Sequence, residues 1–176
     1  CLMAVSLLVS LLAVPVGAAS VTKFSDVSDS YTATAIETLR LMGVLDGYGD
    51  GTFRPDTVLN RAQFCKMAVY AMDGSGELGR YSTVTIFPDV KPSHWASAYI
   101  NMASRKGIIS GFADGKFKPG QTVTAGQAVT ILMRGLGYKD EDMGGVWPQS
   151  YMAEAQTNSL LNSPRITSAY GGVTRA

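Results

Sequence analysis

The sequence repeats one stretch of itself, and this repeat limits the fold more than any other feature. The segment "GYGDGTFRPDTVLNRAQF", from Gly47 to Phe64, returns as "GFADGKFKPGQTVTAGQA", from Gly111 to Ala128. Glycine, an aromatic residue, Asp-Gly, Phe, Pro and Gln recur at matching places, and "FSDV" upstream of the first copy is matched by "FPDV" upstream of the second. Units this small bury little core alone, so the repeats are predicted to pack on one another.

Each repeat predicts two helices joined by a turn-rich loop, because its apolar residues recur with helical spacing. The second helix is predicted to begin at Arg61 and at Ala125. A capping box precedes each of these helices, in which the residue before the helix and a glutamine three residues later exchange hydrogen bonds: Asn60 with Gln63, and Thr124 with Gln127. Helix ends and positive φ are predicted at four glycines, Gly43, Gly47, Gly107 and Gly111. The predicted fold class is all-α.

A third unit is predicted after residue 137, in altered form. "VWPQSYMAEAQTNSLLNS" has apolar residues at helical positions, and the final "VTRA" fits the start of a second helix. We therefore expect the sequence to be a fragment cut at both ends. The predicted boundaries are 24–73 for unit 1, 74–86 for a linker, 87–137 for unit 2 and 138–176 for unit 3.

The first residues are an apolar run, "LMAVSLLVSLLAVPV", followed by the small residues "GAAS". This pattern is typical of a secretory signal peptide, assigned to residues 1–19 and cleaved near Ala18 or Ala19. A buried core helix is the alternative, which Pro15 and Gly17 disfavour. The run is shorter than a membrane-spanning helix, so no transmembrane segment is predicted in the mature chain.

Composition argues against several functions. The formal net charge is only +1, whereas a nucleic-acid-binding protein usually has a basic face. Cys65 is the one cysteine left after removal of the signal, so it forms no internal disulfide and is predicted to be a buried core residue. The sequence has no nucleophile elbow, histidine cluster, phosphate loop or paired-carboxylate motif, so no catalytic residue and no cofactor are predicted.

The repeated motifs resemble the S-layer homology (SLH) family from Phe24 to the end of the chain. "FPDVKPSHWASAYI" and "GIISGFADGKFKP" follow the family's Phe-x-Asp-Val, Trp-Ala, Gly-Ile-Ile-x-Gly and Asp-Gly-x-Phe-x-Pro motifs. The resemblance implies a pseudo-threefold helical cluster in a secreted, non-catalytic protein of the bacterial cell wall or S-layer surface. It also implies that secondary cell-wall polysaccharide, often carrying pyruvate ketals, binds in grooves between the units.

The units depart from the family pattern in different places. Tyr31 stands where a tryptophan is expected in unit 1, and Ala125 replaces the helix-start arginine in unit 2, whereas "VTRA" keeps this arginine in unit 3. The acidic residue of the opening motif would accept hydrogen bonds from sugar hydroxyls or from backbone N–H groups. By resemblance, the predicted glycan-binding residues are Asp26, Tyr31, Gly47, Arg61, Asp89, Trp95, Gly111 and Arg175.

The two helix-start arginines are suited to an anionic sugar. Arg61 and Arg175 precede a helix whose free N–H groups and dipole attract anions, and the guanidinium fork matches a carboxylate such as that of a pyruvate ketal. Trp95 or Tyr31 would lie against the sugar ring. The alternative for Arg61 is an ion pair with a surface carboxylate. We expect Arg61→Ala to weaken wall binding and leave the fold intact, and an arginine at position 125 to strengthen binding.

Three other interpretations remain. "DGYGDGTFRPDT" begins like a calcium loop, with Asp46, Asp50 and Gly51 in place, but Tyr48 and Thr57 stand where two further ligands are required. In that stretch aspartate side chains are instead expected to hold the turn. The module could also self-associate without binding glycan, or anchor a larger secreted hydrolase fused to it as cargo.

Overall fold

The structure, a computed structural model, describes residues 24–73, 76–161, 166 and 168–176. No strand forms in these ranges, where extended pairing is limited to three isolated bridges, and the predicted all-α fold is confirmed. None of the helices described there is long and apolar enough to cross a membrane. The predicted signal peptide lies outside the described residues. The α-helices are α1 Ser30–Leu41, α2 Arg61–Asp73, α3 Ser97–Arg105, α4 Ala125–Gly135 and α5 Gln149–Thr157.

The second helices begin where the sequence places them, and both capping boxes form. The Gln63 N–H donates to Asn60 Oδ1 at 2.9 Å, and the Asn60 N–H donates to Gln63 Oε1 at 3.0 Å. Thr124 and Gln127 exchange the corresponding pair of bonds at the start of α4. These reciprocal bonds satisfy N–H groups that a helix start leaves without partners.

The four predicted glycines divide into two kinds. Gly43 and Gly107 follow α1 and α3 with φ of 72° and 71°, as expected of a helix C-terminus. The prediction of positive φ is wrong for Gly47 and Gly111. A Cβ there would lie 2.0 Å from a ring atom of Phe24 and 2.5 Å from one of Phe87, respectively. These two glycines are therefore required for packing space against the opening phenylalanine of each unit.

The opening aspartates of units 1 and 2 each hold the glycine-rich loop of the same unit. Asp26 accepts hydrogen bonds from the N–H groups of Phe53 at 2.8 Å and Arg54 at 2.7 Å. Asp89 does the same for Phe117 at 2.9 Å and Lys118 at 2.7 Å. Arg54 and Lys118 are not glycines, yet each has a positive φ near 60°. The hydrogen bonds to the aspartates stabilise this conformation. The phenylalanine that precedes each of these two residues is fully buried.

The three units meet around a pseudo-threefold axis formed by Leu59, Val123 and Val173. The Leu59 N–H donates to Val173 O at 2.9 Å, the Val123 N–H to Leu59 O at 3.1 Å, and the Val173 N–H to Val123 O at 3.1 Å. This closed ring of backbone bonds joins the segments that precede α2 and α4 to the Val173 segment of unit 3. Around the ring α2 packs on α3 and α4 packs on α5, so each second helix contacts the first helix of the next unit.

The core between units 1 and 2 is apolar. Its members include Val69 and Ile100, and it also holds Cys65, whose side chain is fully buried as predicted. Burial raises the pKa of the Cys65 thiol to about 12, so the thiol stays protonated at neutral pH.

Candidate functional site

Two grooves of similar size lie between the units. The Trp147 groove, about 460 Å³, is lined by residues 109–113, one face of α4, Arg61 and Trp147. The Trp95 groove, about 450 Å³, is lined by residues 43–48, one face of α2, Arg175 and Trp95. Each is thus built from the loop and second helix of one unit, an arginine from a second unit and a tryptophan from the third.

The two tryptophans expose about half of their side chains beside these grooves. Trp95 is 56% exposed and Trp147 is 50% exposed. An exposed indole at a concave surface gives an apolar face on which a ligand ring can lie. Trp147 was missed in the sequence, although "VWPQSYM" places it at the position that Trp95 has in "HWASAYI".

Arg61 is buried, with only 5% of its surface exposed. Its Nε donates to Phe117 O at 2.8 Å and its Nη2 donates to Ser110 O at 3.1 Å, while the guanidinium lies over the Phe112 and Phe117 rings. The alternative of a surface ion pair is therefore wrong: Arg61 of unit 1 holds the loop of unit 2 through two carbonyl oxygens. Nη1 has no hydrogen-bond partner among the described residues, and Arg61 lines the Trp147 groove.

Arg175 repeats this geometry between units 3 and 1. Its Nε donates to Phe53 O at 2.9 Å and its Nη2 to Asp46 O at 2.8 Å, with the guanidinium over the Tyr48 and Phe53 rings. Each arginine therefore stabilises the neighbouring loop through Nε and Nη2, while its Nη1 takes part in none of these bonds.

The remaining predicted residues occupy different places. Asp26 and Asp89 use their carboxylates on backbone N–H groups, the second of the two partners expected for them. Gly47 and Gly111 line the Trp95 groove and the Trp147 groove. Tyr31 lies on α1 with 75% of its surface exposed and lines neither groove.

The grooves differ in how their tryptophans are held. Trp147 Nε1 donates to Thr130 Oγ1 at 3.0 Å, so α4 fixes the indole directly. Trp95 instead stacks on His94, with ring centroids 5.6 Å apart and planes at 26°. His94 is itself positioned by its Nδ1, which accepts a hydrogen bond from the Ala96 N–H at 3.1 Å.

The calcium interpretation uses Asp50 as a ligand, but the carboxylate of Asp50 is already engaged by other groups. Asp50 Oδ1 accepts hydrogen bonds from the hydroxyl of Thr52 at 2.6 Å and from its N–H at 3.0 Å, and Oδ2 pairs with Arg54 at 2.8 Å. These bonds lower the pKa of Asp50 to about 2. Among the described residues there is no group of three or more His, Cys, Asp or Glu side chains placed to hold a metal ion.

Comparison with known proteins agrees with this architecture. Residues 23–65 and 86–129 match the S-layer homology domain. The chain is 33% identical over 149 residues to the middle cell wall protein of Brevibacillus brevis, an alignment covering 84% of this chain and 14% of that protein. Identity to a cell surface protein of Thermoanaerobacter kivui is 36% over 164 residues, covering 92% and 21%. Identity to a cellulosome-anchoring protein of Acetivibrio thermocellus is 32% over 115 residues, covering 64% and 26%.

The fold, the two matched segments and these relatives define a cell-surface anchoring module. The chain belongs to the S-layer homology family, as its motifs predict. Its place at the bacterial cell surface is likewise confirmed. The chain spans about a quarter or less of the length of the three relatives named above.

Proposed function

We propose that this chain anchors a longer secreted protein to the bacterial wall by binding pyruvylated secondary cell-wall polysaccharide in the Trp95 and Trp147 grooves. The observation that carries the proposal is the duplicated groove. In both copies an exposed indole and an arginine line the same groove, and the Nη1 of the arginine takes no part in the bonds that hold the neighbouring loop. The indole suits the face of a sugar ring, and the guanidinium suits a carboxylate on it. The cargo is the rest of the longer protein.

Sedimentation with purified cell-wall sacculi tests this function. The protein is expected to pellet with intact sacculi and to stay in solution once the wall polysaccharide has been extracted. Replacing both Trp95 and Trp147 with alanine is expected to abolish pelleting. Leu136→Ala is the control, because Leu136 is 62% exposed on the surface and lines neither groove.

Two results would contradict the proposal. Equal pelleting with extracted sacculi would show that the polysaccharide is not the receptor. Pelleting without any sacculi would favour the self-association alternative. Under the alternative of a hydrolase cargo, the catalytic activity would belong to the fused part of a longer protein, and the grooves would serve binding.

A further inference from the structure

The two grooves share a backbone frame, and one of the pairs of corresponding helix positions at which they differ is Lys66 on α2 and Thr130 on α4. Lys66 lines the Trp95 groove with its Nζ 5.6 Å from the centroid of the Tyr70 ring, and it forms no ion pair with the described residues. Thr130 Oγ1 accepts from Trp147 Nε1 and donates to Gly126 O at 2.8 Å. One groove therefore has an available ammonium group where the other has a hydroxyl that is fully used.

At a second pair of corresponding positions the cationic residue is in the Trp147 groove, where Arg134 stands in place of Tyr70. This arginine adds no available charge. Arg134 Nε and Nη2 donate to Asp140 at 2.8 and 2.7 Å, and Nη1 donates to Ser110 Oγ at 2.9 Å. Every nitrogen of this guanidinium group is thus engaged, and its charge is neutralised by a carboxylate that also accepts a hydrogen bond from Tyr151. Arg134 serves to close the wall of the Trp147 groove.

Formal charge alone does not separate the grooves, because each is lined by two cationic side chains and one aspartate. Their pairing separates them. Asp140 is bonded to Arg134 within its groove, whereas Asp46 forms no ion pair with Lys66 or Arg175 among the described residues. Glu37 and, more weakly, Asp46 raise the pKa of Arg40, which lies outside the Trp95 groove. Among the described residues, both cations of the Trp95 groove therefore remain without a carboxylate partner, whereas in the Trp147 groove this holds for Arg61 but not for Arg134.

We infer that the two grooves differ in how strongly they recognise the acidic group of one polysaccharide: the Trp95 groove, with two available cations, binds the sugar carboxylate more tightly than the Trp147 groove, which has Arg61 alone. Lys66 is the residue that sets this difference, acting together with Arg175. The inference rests on the proposed function and specifies which groove recognises the acidic group more strongly. A charge-assisted bond from an ammonium to a carboxylate gives the Trp95 groove a preference that the Thr130 hydroxyl does not supply.

Two forms of one wall polysaccharide test the inference: the native acidic polymer, and the same polymer with its carboxylates reduced to primary alcohols. Binding is measured by calorimetry for Trp147→Ala, which retains the Trp95 groove, and for Trp95→Ala, which retains the Trp147 groove. Trp147→Ala is expected to bind the reduced polymer at least tenfold more weakly than the native one. Trp95→Ala is expected to show a smaller difference between the two forms, because Arg61 is the one cation of its retained groove that is not paired with a carboxylate among the described residues.

A substitution that gives the Trp95 groove the residue type of the Trp147 groove provides a second, independent test. Lys66→Thr in the otherwise unchanged protein is expected to lower affinity for the native polymer by roughly fivefold to tenfold and to leave affinity for the reduced polymer unchanged. Lys91→Thr is the matched control, because Lys91 is exposed and lines neither groove.

The outcomes separate the two levels of the argument. Equal dependence of both tryptophan variants on the carboxylates, or an unchanged affinity of Lys66→Thr for the native polymer, would overturn the assignment of grooves while leaving polysaccharide binding intact. If the parent protein bound neither polymer, the proposed function itself would fail, and the inference with it.

Discussion

The junction between units 1 and 2 and the junction between units 2 and 3 have corresponding backbone hydrogen bonds but different side-chain contacts. Where α2 begins, two consecutive N–H groups donate to the loop of unit 2, and where α4 begins, two consecutive N–H groups donate to residues 169 and 171 of unit 3. At the first of these junctions Arg61 adds two side-chain bonds, while at the second the corresponding residue is Ala125. The donor–acceptor pairs are Arg61–Gln121 and Ala62–Pro119 in one junction, and Ala125–Gly171 and Gly126–Ala169 in the other.

The opening motif shows the same contrast. Asp89 of unit 2 holds its own loop, whereas Glu141 occupies the corresponding position in unit 3, with a side chain that is 75% exposed and pairs with Lys139 at 3.5 Å. The backbone ring around Leu59, Val123 and Val173 is nevertheless closed. The comparison teaches that backbone pairing sets the arrangement of the units, while the repeated side chains stabilise the loops within it.

The largest effect is expected from Asp89→Ala, because Asp89 accepts two charge-assisted bonds from its loop. Each such bond contributes about 1.5–3 kcal/mol, so the free energy of unfolding is expected to fall by about 3–6 kcal/mol. For a chain of this size the melting temperature should then fall by roughly 10 °C. Differential scanning calorimetry measures it. A drop of less than about 2 °C would show that the loop does not depend on this carboxylate.

The pH dependence of stability provides the control for this effect. Burial alone would raise the pKa of Asp89, but the N–H groups of Phe117 and Lys118 outweigh it and hold the pKa below its ordinary value. A carboxylate with a lowered pKa in the folded state stabilises the protein above the unfolded-state value, about 4, and loses this contribution as the pH falls through the folded-state value. Stability should therefore decline below about pH 4, and less steeply in Asp89→Asn.

Arg61→Ala is expected to be the second-largest effect and to lower stability by about 2–4 kcal/mol. The substitution removes both bonds to the unit 2 loop and leaves Phe117 O without its donor. This corrects the expectation that the fold would be unchanged, so a loss of wall binding in this variant has to be separated from a loss of stability. Urea denaturation measures the change.

Arg175→Ala is the matched comparison for Arg61→Ala. The two arginines make corresponding bonds, but Arg175 is less buried, so the stability loss should be smaller than for Arg61→Ala. Arg61→Lys should restore only part of the stability, because an ammonium lacks the planar fork. A parent-like free energy of unfolding for Arg61→Ala would show that the backbone bonds alone hold this junction.

Gly111→Ala comes next, because its Cβ would lie 2.5 Å from a Phe87 ring atom and 3.0 Å from Lys116 O. Overpacking of this kind costs about 1–3 kcal/mol. Gly120→Ala is the control, since a Cβ there meets nothing within 4 Å. Gly47→Ala should cost less than Gly111→Ala, because its three nearest neighbours are ring atoms of one side chain rather than backbone. Equal stabilities of the 111 and 120 variants in thermal unfolding would contradict the packing account.

These contrasts show what the sequence could and could not predict. Helix starts, capping boxes and the family were predictable because they depend on local spacing and on repeated motifs. The double use of Arg61 was not, since its two carbonyl partners are 49 and 56 residues away in sequence and come together only when the units assemble. The reason for a glycine at position 47 was predicted wrongly, because the sequence does not distinguish a glycine needed for space from a glycine needed for positive φ. The pairing of Arg134 with Asp140 was not predicted either, because it joins two segments and no repeated motif marks it.

The smallest expected effect returns to unit 3, where Ser159 follows α5 with φ of 57°. Gly43 and Gly107 hold the corresponding positions after α1 and α3, and all three residues donate their N–H to the carbonyl three residues earlier. A residue with a Cβ is strained in this conformation, whereas glycine is not, although glycine also gains freedom in the unfolded chain. Ser159→Gly is therefore expected to raise the free energy of unfolding by about 0.5–1 kcal/mol, and Gly107→Ser to lower it by at least as much. Urea denaturation of both variants beside the parent measures the pair. A less stable Ser159→Gly protein would mean that the serine side chain contributes more to unit 3 than its backbone strain costs.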